Sequence, residues 1–536
     1  MDNLNIHRDN SKVPFSGKFK DTYIEIMDTT LRDGEQTSGV SFAAEEKVSI
    51  ARLLLEELGV DRIEIASARV STGEFDSVKK VAQWALAHGH LDQVEVLGFV
   101  DGTASLDWIN SAGCKVVNLL CKGSLKHCTY QLRKTVDEHL ADIKTVIAKA
   151  QDMGIAVNVY LEDWSNGMRN SENYVYQMMD ELQHQPIVRY MLPDTLGILN
   201  PDEVHLFCEK MIQRYPALHF DFHAHNDYDL AVANVYEALK VGIKGVHVTV
   251  NGLGERAGNA PLTSVLALIS DHLKFKTNIK EKKVYQVSKV VESYSGIRIP
   301  NNKPVIGDNV FTQVAGVHAD GDNKKNLYYN DLLPERFGRE REYALGKTSG
   351  KANIKKNLEA LGIELDDDTM KKITQRIIEL GDNKEVVSQD ELPYIISDVL
   401  KNGEEQQDIQ MLNYSLTLTR NLRPIATVKI SIKGEEYEET AAGKGQYNAF
   451  SKAMYKIYRK LGKNTPELID YVVVIPPGGQ TNAFVQTIIT WQFEDKVFKT
   501  RGLDPDQTVA AIKATMKMLN IIESGTIPTI RNYDLP

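Results

Sequence analysis

From Tyr23 onward, short apolar runs alternate with amphipathic helical stretches, and the pattern repeats until about Leu273. The predicted strands are Tyr23–Met27, Arg62–Ala66, Val94–Phe99, Lys115–Leu120, Ala156–Leu161, Val188–Leu192, His219–His223 and Val246–Val250. Helical patterns separate most of them, as at Ala44–Leu58, Glu74–Ala87, Thr135–Met153 and Ala231–Val241. Eight strands in this alternation over about 250 residues match a TIM (β/α)8 barrel in count and length. A doubly wound open sheet is the main alternative. No GxGxxG follows the first strand, which weakens its dinucleotide-binding form.

The chain of 536 residues exceeds one ordinary domain. Residues 1–20 are polar and read as a flexible N-terminus, and the barrel is expected over 21–280. Residues 281–402 read as mainly helical linker subdomains around the loop-rich Pro300–Gly346, which carries GVHADGDNKKNLYYN. GEEQQD at Gly403–Asp408 reads as a linker. A small α+β domain is expected within 409–536, its pattern starting at Tyr414. It opens with a hairpin, Thr427–Ile432 and Glu436–Thr440, turning at Lys433-Gly434, and the helix Tyr447–Leu461 follows. Tyr471–Ile475, the pair Phe484–Phe493 and Lys496–Thr500, and the helix Pro505–Leu519 complete a strand–strand–helix pattern read twice.

Net charge of -10 gives no basic footprint, so nucleic acid is not an expected partner. Local cationic sites for small anions remain compatible with it. The first residues lack a secretory h-region, and no apolar run is long enough to span a bilayer, so a cytoplasmic protein is expected. Cys114, Cys121, Cys128 and Cys208 form no CxxC pair and no disulfide framework.

Barrel chemistry sits where strands end. The first strand runs into DTTLRDGEQ, the second delivers Glu64, and the fifth ends in Tyr160-Leu161-Glu162-Asp163. The sixth ends in Pro193-Asp194-Thr195, the seventh in His223-Ala224-His225-Asn226-Asp227, and the eighth leads to NGLGERAGN. Side chains two apart on a strand share a side, so His223 and His225 can reach one ion. Imidazoles with a carboxylate suit Zn, Mn, Fe or Co, while Mg more often takes oxygen alone. An HxH pair is also compatible with a structural role, and NGLGERAGN with a tight loop.

Together these motifs closely resemble the acetyl-CoA-dependent 2-oxo acid condensing enzymes: the isopropylmalate, homocitrate and citramalate synthases, relatives of the hydroxymethylglutaryl-CoA lyases. DTTLRDGEQ, HAHND and NGLGERAGN carry the resemblance, with GVHADG and the C-terminal region matching the longer synthases. It implies Asp33, His223 and His225 as ligands of a divalent ion (Mn2+, Zn2+, Co2+ or Mg2+), with Asn259 close to the ion. It implies that Arg32 polarises the ketone, that Glu64 orients Arg32 or the ligands, and that Thr195 holds the substrate carboxylate. His318 resembles a base that reaches a neighbouring subunit's barrel in a homodimer. Glu162 and Asp320 join the expected catalytic groups, and Asn326 and Tyr328 the substrate contacts, with Tyr329 an equal choice of tyrosine.

The substrates implied are acetyl-CoA and a 2-oxo acid. Tyr160, two before Glu162, shares its side of the strand, and Leu97 and Leu120 could wall the same space. Residues of this size leave room for a methyl group. IEIASARVS, NLLCKGSLKH and NVYLEDWSNG also resemble the pyruvate-using citramalate synthases more than isopropylmalate synthases. Pyruvate is therefore expected, with 2-oxoisovalerate the alternative and simple core packing the plainer account of the three side chains. A metal-dependent lyase or aldolase, or a non-catalytic amino-acid-binding protein, are the competing classes. The C-terminal region resembles a feedback module, implying isoleucine or leucine as effector, although PPGGQTNAF departs from the usual pattern.

Overall fold

The computed structural model describes residues 22–313, 330–346, 350–360, 365–382, 392, 395–396, 399, 409–474 and 485–524. Eight parallel strands close into a barrel. They are β1 (Glu25–Asp28), β2 (Arg62–Ser67), β3 (Val94–Phe99), β4 (Val116–Lys122), β5 (Ala156–Glu162), β6 (Ile187–Asp194), β7 (Phe220–Ala224) and β8 (Gly245–Val248). β1 pairs with β2 on one side and β8 on the other, which closes the ring. β4 and β5 run further than the apolar pattern predicts, because Lys122 and Glu162 still pair across them.

Thr135 and Glu138 form a capping box before Val136–Asp152, and Asn200 and Glu203 form one before Pro201–Arg214. Most outward strand residues are aliphatic, and Tyr190, Phe220 and Phe222 are aromatic. Ile26, Ile63, Val96, Val117, Val159 and Val246 are fully buried against the helical ring. Each such burial contributes roughly 1.5–3 kcal/mol.

The inward residues differ. Near the strand starts, Arg62 donates to Glu95 at 2.9 Å and to Asp221 at 2.5 Å, with Glu25 at 3.3 Å. Above them Met27, Leu97, Tyr160 and Met191, with half-buried Leu120, form a small apolar cluster separate from the main core. At the strand ends the lining becomes polar again, and the candidate site lies there.

The chain divides into two compact units: the described parts of 1–311 with 330–340, and those of 312–329 with 341–536. In the first, Val284, Val287 and Val291 from the helix Val284–Ser295 join the barrel core, as do Phe311 and Phe337. In the second, helices Lys351–Ala360 and Asp367–Asp382 pack through Ile354, Leu358, Met370, Ile373 and Ile377.

The same unit contains two antiparallel three-stranded sheets, each followed by a helix. The first comprises Ile409–Thr417, Ile425–Ile432 and Glu435–Ala442, before the helix Gln446–Lys460. The second comprises Glu467–Val474, Val485–Phe493 and Lys496–Asp504, before Gln507–Glu523. Lys433 and Gly434 both have positive φ, as a tight hairpin turn of this length requires. The repeat is thus three strands and a helix, not two strands and a helix. Ile409–Thr417 escapes the sequence pattern because a register shift between Met411 and Asn413 breaks its alternation. No helix among the described residues is long and apolar enough to cross a membrane.

Candidate metal and substrate site

Distant loops are fastened together at the carboxyl ends of the strands. The Thr30 hydroxyl accepts the Val250 N–H at 2.8 Å. The Thr37 hydroxyl accepts the Gly254 N–H at 2.8 Å and donates to the Gly254 carbonyl at 3.1 Å. The loop after β1 is therefore tied to the glycine-rich loop after β8. Beneath it, fully buried Lys47 pairs with Glu35 at 2.7 Å and Glu74 at 2.6 Å and donates to the Leu31 carbonyl at 3.3 Å. Arg256 makes a bidentate pair with Asp227 at 2.7 and 2.9 Å and donates to the Thr195 carbonyl at 2.9 Å. That clamp joins the glycine-rich loop to the ends of β6 and β7.

Asp33, His223 and His225 meet at this junction, and all three are buried. Asp33 Oδ2 lies 3.2 Å from His223 Nε2 and 3.7 Å from His225 Nε2, and the two Nε2 atoms are 3.3 Å apart. One ligand atom from each falls within 4.8 Å of the others. Burial pushes the Asp33 carboxyl upward, but Arg32 and both imidazoles outweigh it and hold it well below the usual carboxylate range. Burial pushes the His225 imidazole down to about 4, and it lowers His223 against the pull of Asp33. The set is an ionised carboxylate beside two neutral imidazoles, the protonation that metal ligation needs.

Neither Asp33 oxygen has a hydrogen bond of good geometry among the described residues, nor does the buried Oδ1 of Asn259. Buried polar atoms without partners are costly, and a cation among them removes that cost. Asn259 pairs with His225 through a short bridge, and its amide fills space that only a glycine at 254 leaves open. A Cβ there would stand 2.2 Å from Asn259 Nδ2. The donor set fits a divalent ion.

Arg32 sits beside this cluster, its guanidinium 3.6 Å from Asp33. Its Nε donates to Glu64 Oε2 at 2.6 Å, and that oxygen also accepts the Thr29 hydroxyl at 2.7 Å. Glu64 Oε1 accepts from Asn118 at 2.9 Å, whose own oxygen accepts from Asn158 at 2.9 Å. Sequence reasoning missed both asparagines. Each is a single polar residue inside a strand, and only the register that pairs them shows that they face one another.

The remaining expected residues fall into three groups. Thr195 accepts the Asp163 N–H at 2.9 Å, and none of the described hydrogen bonds uses its own proton. Glu162 is ion-paired to Lys122 and makes no ion pair with Arg32 among the described residues. Tyr160 is buried with its ring centroid 5.9 Å from the Arg32 guanidinium carbon and 6.0 Å from the His223 ring centroid, and Leu97 and Leu120 share its cluster. His318, Asp320, Asn326, Tyr328 and Tyr329 lie outside the described residues, as does PPGGQTNAF.

Residues 23–291 match the HMGL-like family, 305–385 a homocitrate synthase post-HMGL domain-like family, and 386–523 the LeuA allosteric (dimerisation) domain. The chain is 34% identical over 502 residues to the (R)-citramalate synthase CimA of Methanocaldococcus jannaschii, covering 93% of this chain and 99% of that one. The chain belongs to the HMGL-like family. Within that family it groups with the citramalate and 2-isopropylmalate synthases. It is also 31% identical over 505 residues to the 2-isopropylmalate synthase of the same organism, covering 93% of this chain and 94% of that one. Among the described residues, the buried Asp33, His223 and His225 form a group that could hold a divalent ion.

Proposed function

We propose that this protein is an (R)-citramalate synthase, condensing acetyl-CoA with pyruvate and water to give (R)-citramalate and CoA. Its relatives, synthases of citramalate and 2-isopropylmalate, support acetyl-CoA condensation. The choice of pyruvate rests on Tyr160, whose buried ring lies near both Arg32 and His223 with Leu97 and Leu120 in the same cluster.

Asp33, His223 and His225 would hold the divalent ion, with Asn259 beside them. Bound there, the ion supplies a Lewis acid for the carboxylate and ketone of a 2-oxo acid. Arg32 faces the same place and stabilises charge growing on the ketone oxygen, and Glu64 fixes the direction of its guanidinium. The Thr195 hydroxyl donates to the substrate carboxylate while its oxygen keeps the Asp163 N–H. His318, from the partner subunit of a homodimer, takes a proton from the acetyl methyl group, with Asp320, Asn326 and Tyr328 in the same segment. The carbanion so formed attacks the ketone carbon, and water then cleaves the thioester. Glu162, held by Lys122 at the same end of the barrel, belongs with the groups that handle protons there. The C-terminal unit serves dimerisation and feedback, with isoleucine or leucine as effector.

The test is kcat/KM for pyruvate against 2-oxoisovalerate, followed by CoA release from acetyl-CoA. A clear preference for pyruvate supports the reading. Preference for the branched acid makes the protein a 2-isopropylmalate synthase, and cleavage of a hydroxyacyl-CoA without condensation makes it a lyase.

A further inference from the structure

We infer that His247 is a specificity-positioning residue, pinning Tyr160 so that its ring cannot swing aside for a larger 2-oxo acid. The inference rests on the citramalate synthase reading of the same site.

His247 is fully buried on β8, beside His223 of β7 and Met27 of β1 in the strand register. Both of its ring nitrogens are engaged. Nε2 lies 3.1 Å from Asp221 Oδ2, and Nδ1 lies 2.9 Å from the Tyr160 hydroxyl. Asp221 is anchored from below, 2.5 Å from an Arg62 nitrogen and 3.0 Å from His219 Nε2. Paired with Arg62, the Asp221 carboxylate accepts from Nε2, and Nδ1 is left to accept the Tyr160 O–H. A chain Arg62–Asp221–His247–Tyr160 thus climbs the barrel interior.

Space for the chain is built into the backbone. A Cβ on Gly245 would stand 1.9 Å from Asp221 Oδ1, so the carboxylate occupies the place of the missing side chain. The other neighbours of Tyr160 in its cluster, Met27, Leu97, Met191 and Leu120, offer no oxygen or nitrogen side-chain acceptor. Leaving His247 would break the one hydrogen bond that the buried Tyr160 hydroxyl makes among the described residues. The phenol oxygen is therefore held down and inward, and the ring is what faces Arg32 and His223. Ring size alone does not give selectivity if the ring can turn away; the tether makes the wall rigid.

The experiment measures the ratio of kcat/KM for pyruvate to that for 2-oxoisovalerate in full-length, metal-loaded wild type, Tyr160→Phe, His247→Leu, His247→Asn and the Phe/Leu double variant. Melting temperatures accompany each to confirm folding. Tyr160→Phe keeps the ring and removes only the tethered hydroxyl, so it serves even if His247→Leu fails to fold. The expected result is a ratio lowered by roughly ten-fold or more in Tyr160→Phe and in His247→Leu, with no further fall in the double variant. His247→Asn, whose amide oxygen can accept near the Nδ1 position, should recover most of the ratio. A pyruvate-selective wild type whose ratio survives Tyr160→Phe overturns the pin and leaves the function standing. A wild type that does not favour pyruvate overturns the function and the pin with it.

Discussion

Asp33 Oδ2 stands 3.2 Å from His223 Nε2, although the loop after β1 carries one and β7 the other. Closure of the barrel between β1 and β8, with β8 paired to β7, brings them together. His223→Ala should remove the bound divalent ion and abolish turnover with the fold retained. Metal analysis after dialysis, circular dichroism and CoA release check it. An alanine variant that keeps its ion and its activity contradicts the ligand assignment.

Arg32 is held by Glu64 at 2.6 Å and points at the same cluster. Arg32→Gln removes a donor aimed at the developing oxyanion, so kcat should fall by about 10²–10³. Glu64→Gln keeps the shape but loosens the guanidinium, and a smaller fall in kcat is expected. The two effects should be far from additive, because Glu64 acts through Arg32. Steady-state kinetics of both single variants and the double variant decide.

The pair Arg256–Asp227 is partly exposed and should add less than about 1 kcal/mol to stability. Its position gives it a different weight, because it locks the loop of Asn259 to the strand end of His225. Arg256→Ala should therefore leave the melting temperature nearly unchanged while weakening divalent-ion affinity by about 10–100-fold. Titration of the metal-free protein with Mn2+ reads the affinity.

Much of this site was legible in the sequence because strand ends are where barrel chemistry collects, and short motifs mark them. DTTLRDGEQ, HAHND and NGLGERAGN each stand where a strand stops. Other parts were not legible. Asn118, Asn158, Asp221 and His247 sit inside strands, where single polar residues look like ordinary alternation. Their roles depend on which inward side chains face one another across the closed ring, and that follows from register. The Lys122 partner of Glu162 was missed for the same reason: it depends on β4 and β5 pairing beyond their apolar runs.

His139 gives the stability a pH dependence of known sign. It is buried, and its Nε2 accepts the Lys122 N–H at 3.1 Å. Burial, with Lys134 adding to it, pushes the imidazole down to about 4. A depressed folded value means that its contribution is complete above the unfolded value of about 6.5 and is lost as pH falls toward the folded one, a change of about 3 kcal/mol. His139→Gln should remove that dependence. The melting-temperature advantage of the wild type over the variant should shrink between pH 7.5 and pH 4.5. An advantage constant with pH contradicts the assignment.

The most direct test is a crystal of the full chain grown with Mn2+ and pyruvate, with the ion located by its anomalous scattering. The account predicts one peak bounded by Asp33, His223 and His225, with the pyruvate ketone toward Arg32 and its methyl group against the Tyr160 ring. An ion bound elsewhere, or pyruvate lying away from Arg32 and Tyr160, would contradict it.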